Sequence, residues 1–455
     1  MPSLLVAAGL ALHGAARATP PDFKSFGRAQ EATVAVDERD ILRIWVAYVG
    51  QGDGILIQFP AHDARAFGDR PAEPVEVLID GGSGGYADAD RMLQLLRQLY
   101  PQGEVEIEHA VITHQDQDHV LGLTRILHSA DVGIAQVYHN GLASFAPGKR
   151  GFPEKGRPVQ SAIFEFDARN NVIEQALGLL EAKDTLSEKF VMGELEDLRH
   201  ATTEGELTGV YGQLATALVS KTQPHPVNGF HRVRERGPFI TEAEATFARG
   251  MSDVSFDVLW PPAQLRKYGA GWSETVNGTS ITFRLRYGDF EMLFTGDQNE
   301  FSEKALMDEL TVSGRLDLLR ADVLKVPHHG SKHSMPEFFR AVAPVLSVAS
   351  LGPEGAKSKL ISGKGAWEHP SEEVIEWLGG AHRVYLTELH ERRFDWATID
   401  SAAKLERLRE HAHVVVETDG NWFRVVEVPA DAGSVDIPSV SQTVRGNGTR
   451  WIRAK

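Results

Sequence analysis

The sequence predicts an α/β sandwich whose functional residues sit on loops at strand ends. Three observations carry this. Short β-branched and aromatic runs alternate with stretches of helical spacing from residue 41 onward. Glycine turns, Gly50-Gln-Gly-Asp-Gly54 and Asp80-Gly-Gly82, close individual runs. Histidines and aspartates gather directly after apolar runs, where α/β proteins place their sites.

The elements follow in order. Residues 1–40 read as a lead-in. Ile41–Val49 and Ile55–Phe59 read as strands around the first glycine turn, and Val75–Ile79 as a third. Ala89–Tyr100 has helical spacing through Met92, Leu95, Leu96 and Leu99. Ile107–Thr113 is a strand and Val120–Leu127 a helix. Residues 140–255 differ in character and read as a largely helical insertion or lid, with helices at Val172–Lys183, Leu195–His200 and Tyr211–Val219. Strands resume at Phe256–Trp260, Ser280–Tyr287 and Glu291–Phe294. A helix over Glu300–Glu309 and a buried strand over Asp322–Val326 come next. Val345–Ser350, Glu372–Leu378 and Arg383–Leu386 continue as strand, helix and strand. Val414–Glu417 and Trp422–Val426 form a hairpin across Thr418-Asp-Gly-Asn421. The main domain is therefore 41–428, and 429–455 is an extended tail.

Composition narrows the function. The chain has 455 residues and a formal net charge of −16, so a polyanion gains nothing from the overall field and needs a local basic groove. No cysteine is present, which excludes disulfides, zinc fingers and thiol catalysis. Any metal is held by His, Asp, Glu or Asn. The run Leu4–Leu12 followed by Ala16-Arg-Ala18 fits a signal peptide, but no Lys or Arg precedes it. A small helix or frayed tail is the plainer reading. A cytoplasmic protein is the expectation, with export the alternative if the run is a signal peptide. No other stretch is apolar for long enough to span a bilayer.

The chemistry is concentrated in three places. His114, Asp116, Asp118 and His119 supply four ligands within six residues, immediately after a strand. Imidazole and carboxylate both suit divalent first-row cations. An acidic surface turn would be the simpler explanation, but such turns rarely interleave two histidines with two aspartates. Asp297 ends the strand Met292-Leu-Phe-Thr-Gly-Asp297 and is placed to bridge two cations; capping the next helix is the simpler role. His328 and His329 follow the strand Asp322–Val326. One could complete a second metal site, and the other could hydrogen-bond substrate or transfer a proton. His62, His128, His200 and His411 read as structural or surface residues.

Taken in order, Val49-Gly-Gln-Gly-Asp53, Leu78-Ile-Asp-Gly-Gly82, His114–His119, Trp260-Pro-Pro262, Asn277-Gly-Thr-Ser280, Thr295-Gly-Asp297, Lys325-Val-Pro-His-His-Gly-Ser331 and His369-Pro370 resemble the metallo-β-lactamase superfamily. More closely, they resemble the soluble metallo-β-lactamase-like domain of the ComEC competence proteins. The match covers about residues 41–130 and 256–426. The membrane-channel parts of that family have no counterpart here, so a DNA-uptake channel is not expected.

The resemblance implies an αββα four-layer sandwich with two divalent metal ions, Zn²⁺ or Mn²⁺, at its edge. One ion would take His114, Asp116 and Asp297. The other would take Asp118, His119, Asp297 and one of His328 or His329; His328 is favoured as nearer the strand end. Asp80 would orient a ligand histidine, and Ser280 would support its loop. Asn277 stands where many members carry another metal-binding His, which opens the first site. Asp116 replaces the superfamily's usual His, a harder donor that tilts preference towards manganese.

The function expected is hydrolysis of a phosphodiester, as a nuclease or an enzyme of small diesters, by a hydroxide that the cation pair activates. Asp118 would orient the nucleophile, and His329, His333 or His369 would protonate the leaving group. Ser331, Asn277 and His369 would contact substrate, with Lys332 and the basic loops Lys149–Arg157 and Arg232–Arg236 available to phosphates of DNA or RNA. The alternatives are a lactonase or β-lactam-type hydrolase, and a metal-stabilised binding or effector module that meets a protein partner through residues 140–255.

Overall fold

A computed structural model of the chain describes residues 31–32, 36–60, 75–83, 88–101, 103–150, 185–187, 190–220, 225–233, 237–238, 254–269, 271–352, 369–380, 383–388, 411–430 and 451–454. Among them two sheets stack face to face. The first runs β1 (Glu31–Ala32), β17 (Trp451–Arg453), β16 (Trp422–Pro429), β15 (Ala412–Thr418), β2 (Leu42–Val46), β3 (Ile55–Gln58), β4 (Glu76–Ile79), β5 (Val105–Ile112), β6 (Val132–His139), β7 (Gly229–Arg232). The second runs β14 (Val384–Leu386), β13 (Leu346–Ala349), β12 (Val323–Lys325), β11 (Phe290–Phe294), β10 (Thr282–Tyr287), β9 (Val254–Trp260), β8 (Gly237–Pro238). In both sheets antiparallel pairs pass into a parallel run, from β4 to β7 in the first and from β11 to β14 in the second.

Strand alternation explains the layering, because successive side chains point to opposite faces. Leu42, Ile44 and Val46 of β2 join Ile55, Ile57, Val414, Val416, Phe283 and Met292 in the core between the sheets. Trp45, Leu56 and Val415 point the other way, into a second core. That core is closed by α1 (Arg91–Leu99), α2 (Gln117–Leu127), α3 (Leu195–Thr203) and α4 (Gly209–Val219), through Leu96, Leu123, Leu198 and Leu214. A third core lies behind the second sheet. There α6 (Glu300–Val312), α7 (Pro336–Val342) and α8 (Glu372–Trp377) bury Leu306, Phe339 and Val374 against Leu293 and Leu324. The short α5 (Trp272–Gly278) reaches back to the first helical layer through Val276. The result is the αββα four-layer sandwich. No helix among the described residues is long and apolar enough to cross a membrane.

Phe283 stacks on Phe294 at 4.9 Å and 18° and tilts against Phe256 at 5.8 Å, fully buried between the sheets. Phe283→Ala should cost about 3–5 kcal/mol, read as a lowered urea midpoint, because the sheets cannot collapse into the cavity.

The structure adds β6, α5 and α7 to the expected elements. It also pairs Trp451–Arg453 of the tail with β16 and β1. From the stretch 140–255, α3 and α4 share the apolar core of α1 and α2, and β7 extends the first sheet beside β6. The expected helix over 172–183, the N-terminal apolar run and most of the tail lie outside the described residues.

Candidate metal centre

The loops after β4, β5, β11 and β12 meet at one end of the sandwich. Helix α2 starts immediately after Asp116, so Asp118 and His119 lie in its first turn, where the helix dipole favours a carboxylate. That turn is docked backbone to backbone on the loop after β4. Gly81 N–H donates to His119 carbonyl at 2.7 Å, and Gly122 N–H to Gly82 carbonyl at 3.0 Å. A Cβ on Gly122 would lie 1.9 Å from the Gly81 carbonyl oxygen, so only glycine allows this approach.

Asp80 ties the site together from below. Its Oδ1 accepts from Thr113 N–H at 2.8 Å, and its Oδ2 accepts from Thr113 Oγ1 at 2.6 Å. The same Oδ2 lies 2.8 Å from His119 Nδ1, which turns His119 Nε2 towards Asp297. Asp80 thus lies directly behind His119. Ser280 Oγ accepts from Asp297 N–H at 3.0 Å and lies 3.3 Å from His114 Nδ1, so one hydroxyl steadies two site residues.

Asp297, only 2 % exposed, divides the site. Its Oδ1 lies 3.3 Å from His119 Nε2 and 3.4 Å from His329 Nε2. Its Oδ2 lies 4.0 Å from His114 Nε2 and 3.8 Å from His328 Nε2. Asp118 joins the first group, 3.6 Å from His329 Nε2. Asp116 joins the second, 3.8 Å from His114 Nε2. Ligand atoms of Asp118, His119, Asp297 and His329 all lie within 4.8 Å of one another.

This corrects the expected order of the adjacent histidines. His329, not His328, completes the group with Asp118 and His119. His328 falls on the side of His114, where its Nε2 lies 3.4 Å from Asn277 Nδ2. The reason is backbone geometry: both histidines have left-handed φ, 45° and 54°, which reverses the chain within two residues. Left-handed histidines cost roughly 1–2 kcal/mol each, and neighbouring contacts hold them there. His328 N–H donates to Gly296 carbonyl at 3.1 Å. His329 Nδ1 donates to Ser350 carbonyl at 3.0 Å, which turns Nε2 towards the carboxylates.

The remaining expected residues surround the two groups. His369 is buried, its ring 5.3 Å from that of His328 and 6.4 Å from that of His329. Ser331 is buried and accepts from His333 N–H at 3.3 Å, within its own turn. His333 is exposed, 3.8 Å from Glu300. Among the basic loops, Arg150 is engaged with Asp197 and Glu206 and lies over Phe145, and Lys149 donates to Glu204 carbonyl. Arg232 donates to Ala263 carbonyl. Residues 151–157 and 234–236 lie outside the described residues. Of the histidines read as structural, His411 stacks on Tyr48 at 4.2 Å.

Sequence reasoning did not single out Asp53 and Lys325 as site residues. They form a buried ion pair at 2.7 Å, and Asp53 Oδ1 lies 3.6 Å from His329 Nδ1. A lysine closing an otherwise apolar strand was the available signal.

The donor set fits divalent cations. Nε2 of His114, His119 and His329 and Oδ1 of Asp297 are buried without a hydrogen-bond partner among the described residues. Buried polar atoms are seldom left so. The electrostatics agree. Burial opposes a charge on His119, but the carboxylates of Asp297 and Asp80 hold its pKa well above the usual imidazole range. Burial likewise opposes protonation of His329, yet Asp297 and Asp118 raise it to about 9. Asp297 is held well below the carboxylate range by His329, His119 and His328, against burial. Burial and neighbouring His119 lower His114 instead. Desolvation and the Asp118 carboxylate push Asp116 up to about 7. Surplus negative charge thus draws protons onto the ligand nitrogens of His119 and His329, and a cation must displace them. Metal affinity should therefore rise with pH up to about 9, by about tenfold per unit for each proton released. Chelator competition between about pH 6 and pH 8 measures this; a flat profile would contradict the protonation scheme.

No family model matches the chain. Over 158 residues it is 26% identical to ComE operon protein 3 of Bacillus subtilis (strain 168), a stretch covering 34% of this chain and 17% of that protein. The chain thus matches about a sixth of that relative's length. Among solved structures it is similar to a Thermotoga maritima protein described as a Zn-dependent hydrolase of the metallo-β-lactamase superfamily. That likeness has 9% identity, covers 68% of this chain and 74% of the other, and has a TM-score of 0.23. It is also similar to CmlA, a diiron β-hydroxylase from Streptomyces venezuelae, at 14% identity over 69% of this chain and 45% of the other, with a TM-score of 0.28. With His and Asp side chains gathered on the loops after β5, β11 and β12 of an αββα sandwich, the chain resembles the metallo-β-lactamase superfamily in fold and in site.

Proposed function

We propose that the chain is a dinuclear metal-dependent phosphodiesterase. The observation that carries this reading is the division of Asp297: one oxygen faces His119 and His329, the other His114 and His328. A carboxylate shared in this way suits a pair of cations. His114, Asp116 and His328 would hold one ion with Asp297. Asp118, His119 and His329 would hold the other. Bound there, the cations would supply an activated water and neutralise charge on phosphate oxygens. The aspartate-rich oxygen and nitrogen donor set suits the hard oxygens of a phosphodiester and supports Mn²⁺ or Zn²⁺ as the ions.

The protein's own groups have distinct tasks. Asp118 orients the nucleophile from its position beside His329. Asn277 opens the His114 side, so substrate approaches there. His369 is held neutral, its pKa lowered to about 3 by burial and by His328 and His329, and so acts as a hydrogen-bonding imidazole. Both nitrogens of His329 are committed, to Ser350 and to the ligand cluster, which leaves exposed His333 as the proton donor to the leaving group.

Purified protein should be assayed with added Mn²⁺ or Zn²⁺ on bis(p-nitrophenyl) phosphate, plasmid DNA and a β-lactam. Diester turnover that disappears in His119→Ala is expected. Turnover of the β-lactam alone would replace this reading with the lactamase-type one. A full metal complement without any turnover would favour a binding module.

A further inference from the structure

We infer that the buried Asp53–Lys325 pair is a positioning device that keeps His329 aimed at its cation; this rests on the metal reading above. Asp53 leaves the glycine turn before β3, and Lys325 is the last residue of β12. Both are essentially inaccessible to solvent. Lys325 Nζ lies 2.7 Å from Asp53 Oδ2 and donates to Val326 carbonyl at 3.0 Å. The other oxygen, Asp53 Oδ1, points at the back of His329, 3.6 Å from Nδ1, and has no hydrogen-bond partner among the described residues. Asp53, Asp80 and His119 also offer atoms within 4.8 Å of one another. Each histidine of this group therefore has a buried carboxylate behind it, Asp80 for His119 and Asp53 for His329.

The fold alone does not require a lysine at this place. Its strand neighbours Val323 and Leu324 are apolar, and a buried ion pair is commonly replaced by apolar residues without loss of stability. The charge of the site gives it a purpose. Asp53, Asp80, Asp116, Asp118 and Asp297 are five carboxylates in or behind the cluster. Two divalent cations leave one of these charges unmatched, and the Lys325 ammonium matches it. The Asp53–Lys325 pair then sits behind the Nδ1–H that His329 donates to Ser350, which keeps the ring turned with Nε2 towards Asp118 and Asp297. Carboxylates behind ligand imidazoles act in this way, and their loss typically weakens metal binding.

The test is the double variant Asp53→Asn/Lys325→Met, which removes both charges together. Two quantities are measured against wild type: thermal unfolding of the metal-stripped protein, and Zn²⁺ or Co²⁺ affinity by chelator competition, with the Co²⁺ absorption spectrum as a record of ligation. The stripped double variant should unfold at or above the wild-type temperature. Its cation affinity should fall by roughly 10- to 100-fold, with an altered Co²⁺ spectrum. Lys325→Arg, which keeps the charge, should retain most of the affinity. Wild-type affinity in the double variant overturns the inference, as does a loss of unfolding temperature with affinity intact. If the double variant does not fold, Asp53→Asn is read by the same measurements. Failure of wild type itself to take up cations overturns the metal reading, and the inference with it.

Discussion

On the proposed function, Asp297→Ala is expected to abolish tight binding of both cations and to lower phosphodiester hydrolysis by roughly 10³-fold or more, about 4 kcal/mol of transition-state stabilisation. The size follows from position. Among the described residues, Asp297 is the one carboxylate whose two oxygens face both histidine pairs. It is also a leading reason that His119 and His329 are basic against the effect of burial. Without it the two donor groups lose their shared anion, a loss larger than any gain from weaker proton competition at those imidazoles. Asp80→Asn should be milder, about 10- to 100-fold in metal affinity, because Asp80 would act through its contact with His119 Nδ1. Metal content, chelator competition and turnover should be read beside circular dichroism of the stripped proteins. Equal losses from the two variants, or an Asp297→Ala protein that retains two ions, would contradict the shared-carboxylate arrangement.

The parts of this site that sequence reveals are the local ones. His114 to His119 supplies four donors on one loop, and strand-then-donor patterns recur at Asp297 and at His328-His329, so the cluster could be read from the sequence. Which adjacent histidine faces which group could not. That is decided by two successive left-handed residues held by Gly296 and Ser350, contacts that no local pattern encodes. Asp53 and Lys325 escaped for a similar reason: they become partners only when β3 and β12 are brought together from opposite sheets. The layered fold was legible from β-branched and aromatic runs such as β2 and β15. The missed elements are those where tertiary contacts override weak local preference. β6 includes Gly133, Ala135 and Gln136, which dilute its β pattern. α5 and α7 have seven residues each, too short to be stable alone. α5 is fixed in part by Trp260 Nε1 donating to Gly278 carbonyl at 2.7 Å, and α7 begins at Pro336 and closes on left-handed Ala343.

Gly52→Ala should be the most damaging single-methyl change near the site, on the order of 3–5 kcal/mol of stability with loss of metal binding. Two glycines of the same turn separate the causes. Gly50 and Gly52 both have positive φ, 76° and 111°, so alanine at either carries a backbone penalty of roughly 1–2 kcal/mol. Their surroundings differ. A Cβ on Gly50 meets only the side chain of Asp88 at its nearest atoms, with Oδ2 at 2.8 Å and Cβ at 3.0 Å, so relief costs a small shift of that side chain and of its 2.6 Å contact with Arg91 Nε. A Cβ on Gly52 lies 1.7 Å from the carbonyl oxygen of Asp118 and 2.6 Å from its carbonyl carbon. That backbone belongs to the first turn of α2, pinned by Gly81 on its other side, so relief requires moving Asp118 and His119 together. A displacement of about 1 Å there is enough to cost on the order of 10²-fold in rate, beyond any loss of fold. Gly50→Ala should therefore keep cation affinity with a small drop in the denaturant midpoint, whereas Gly52→Ala should lose both. If the two variants unfold alike and bind cations alike, the glycine turn does not set the position of the ligand helix.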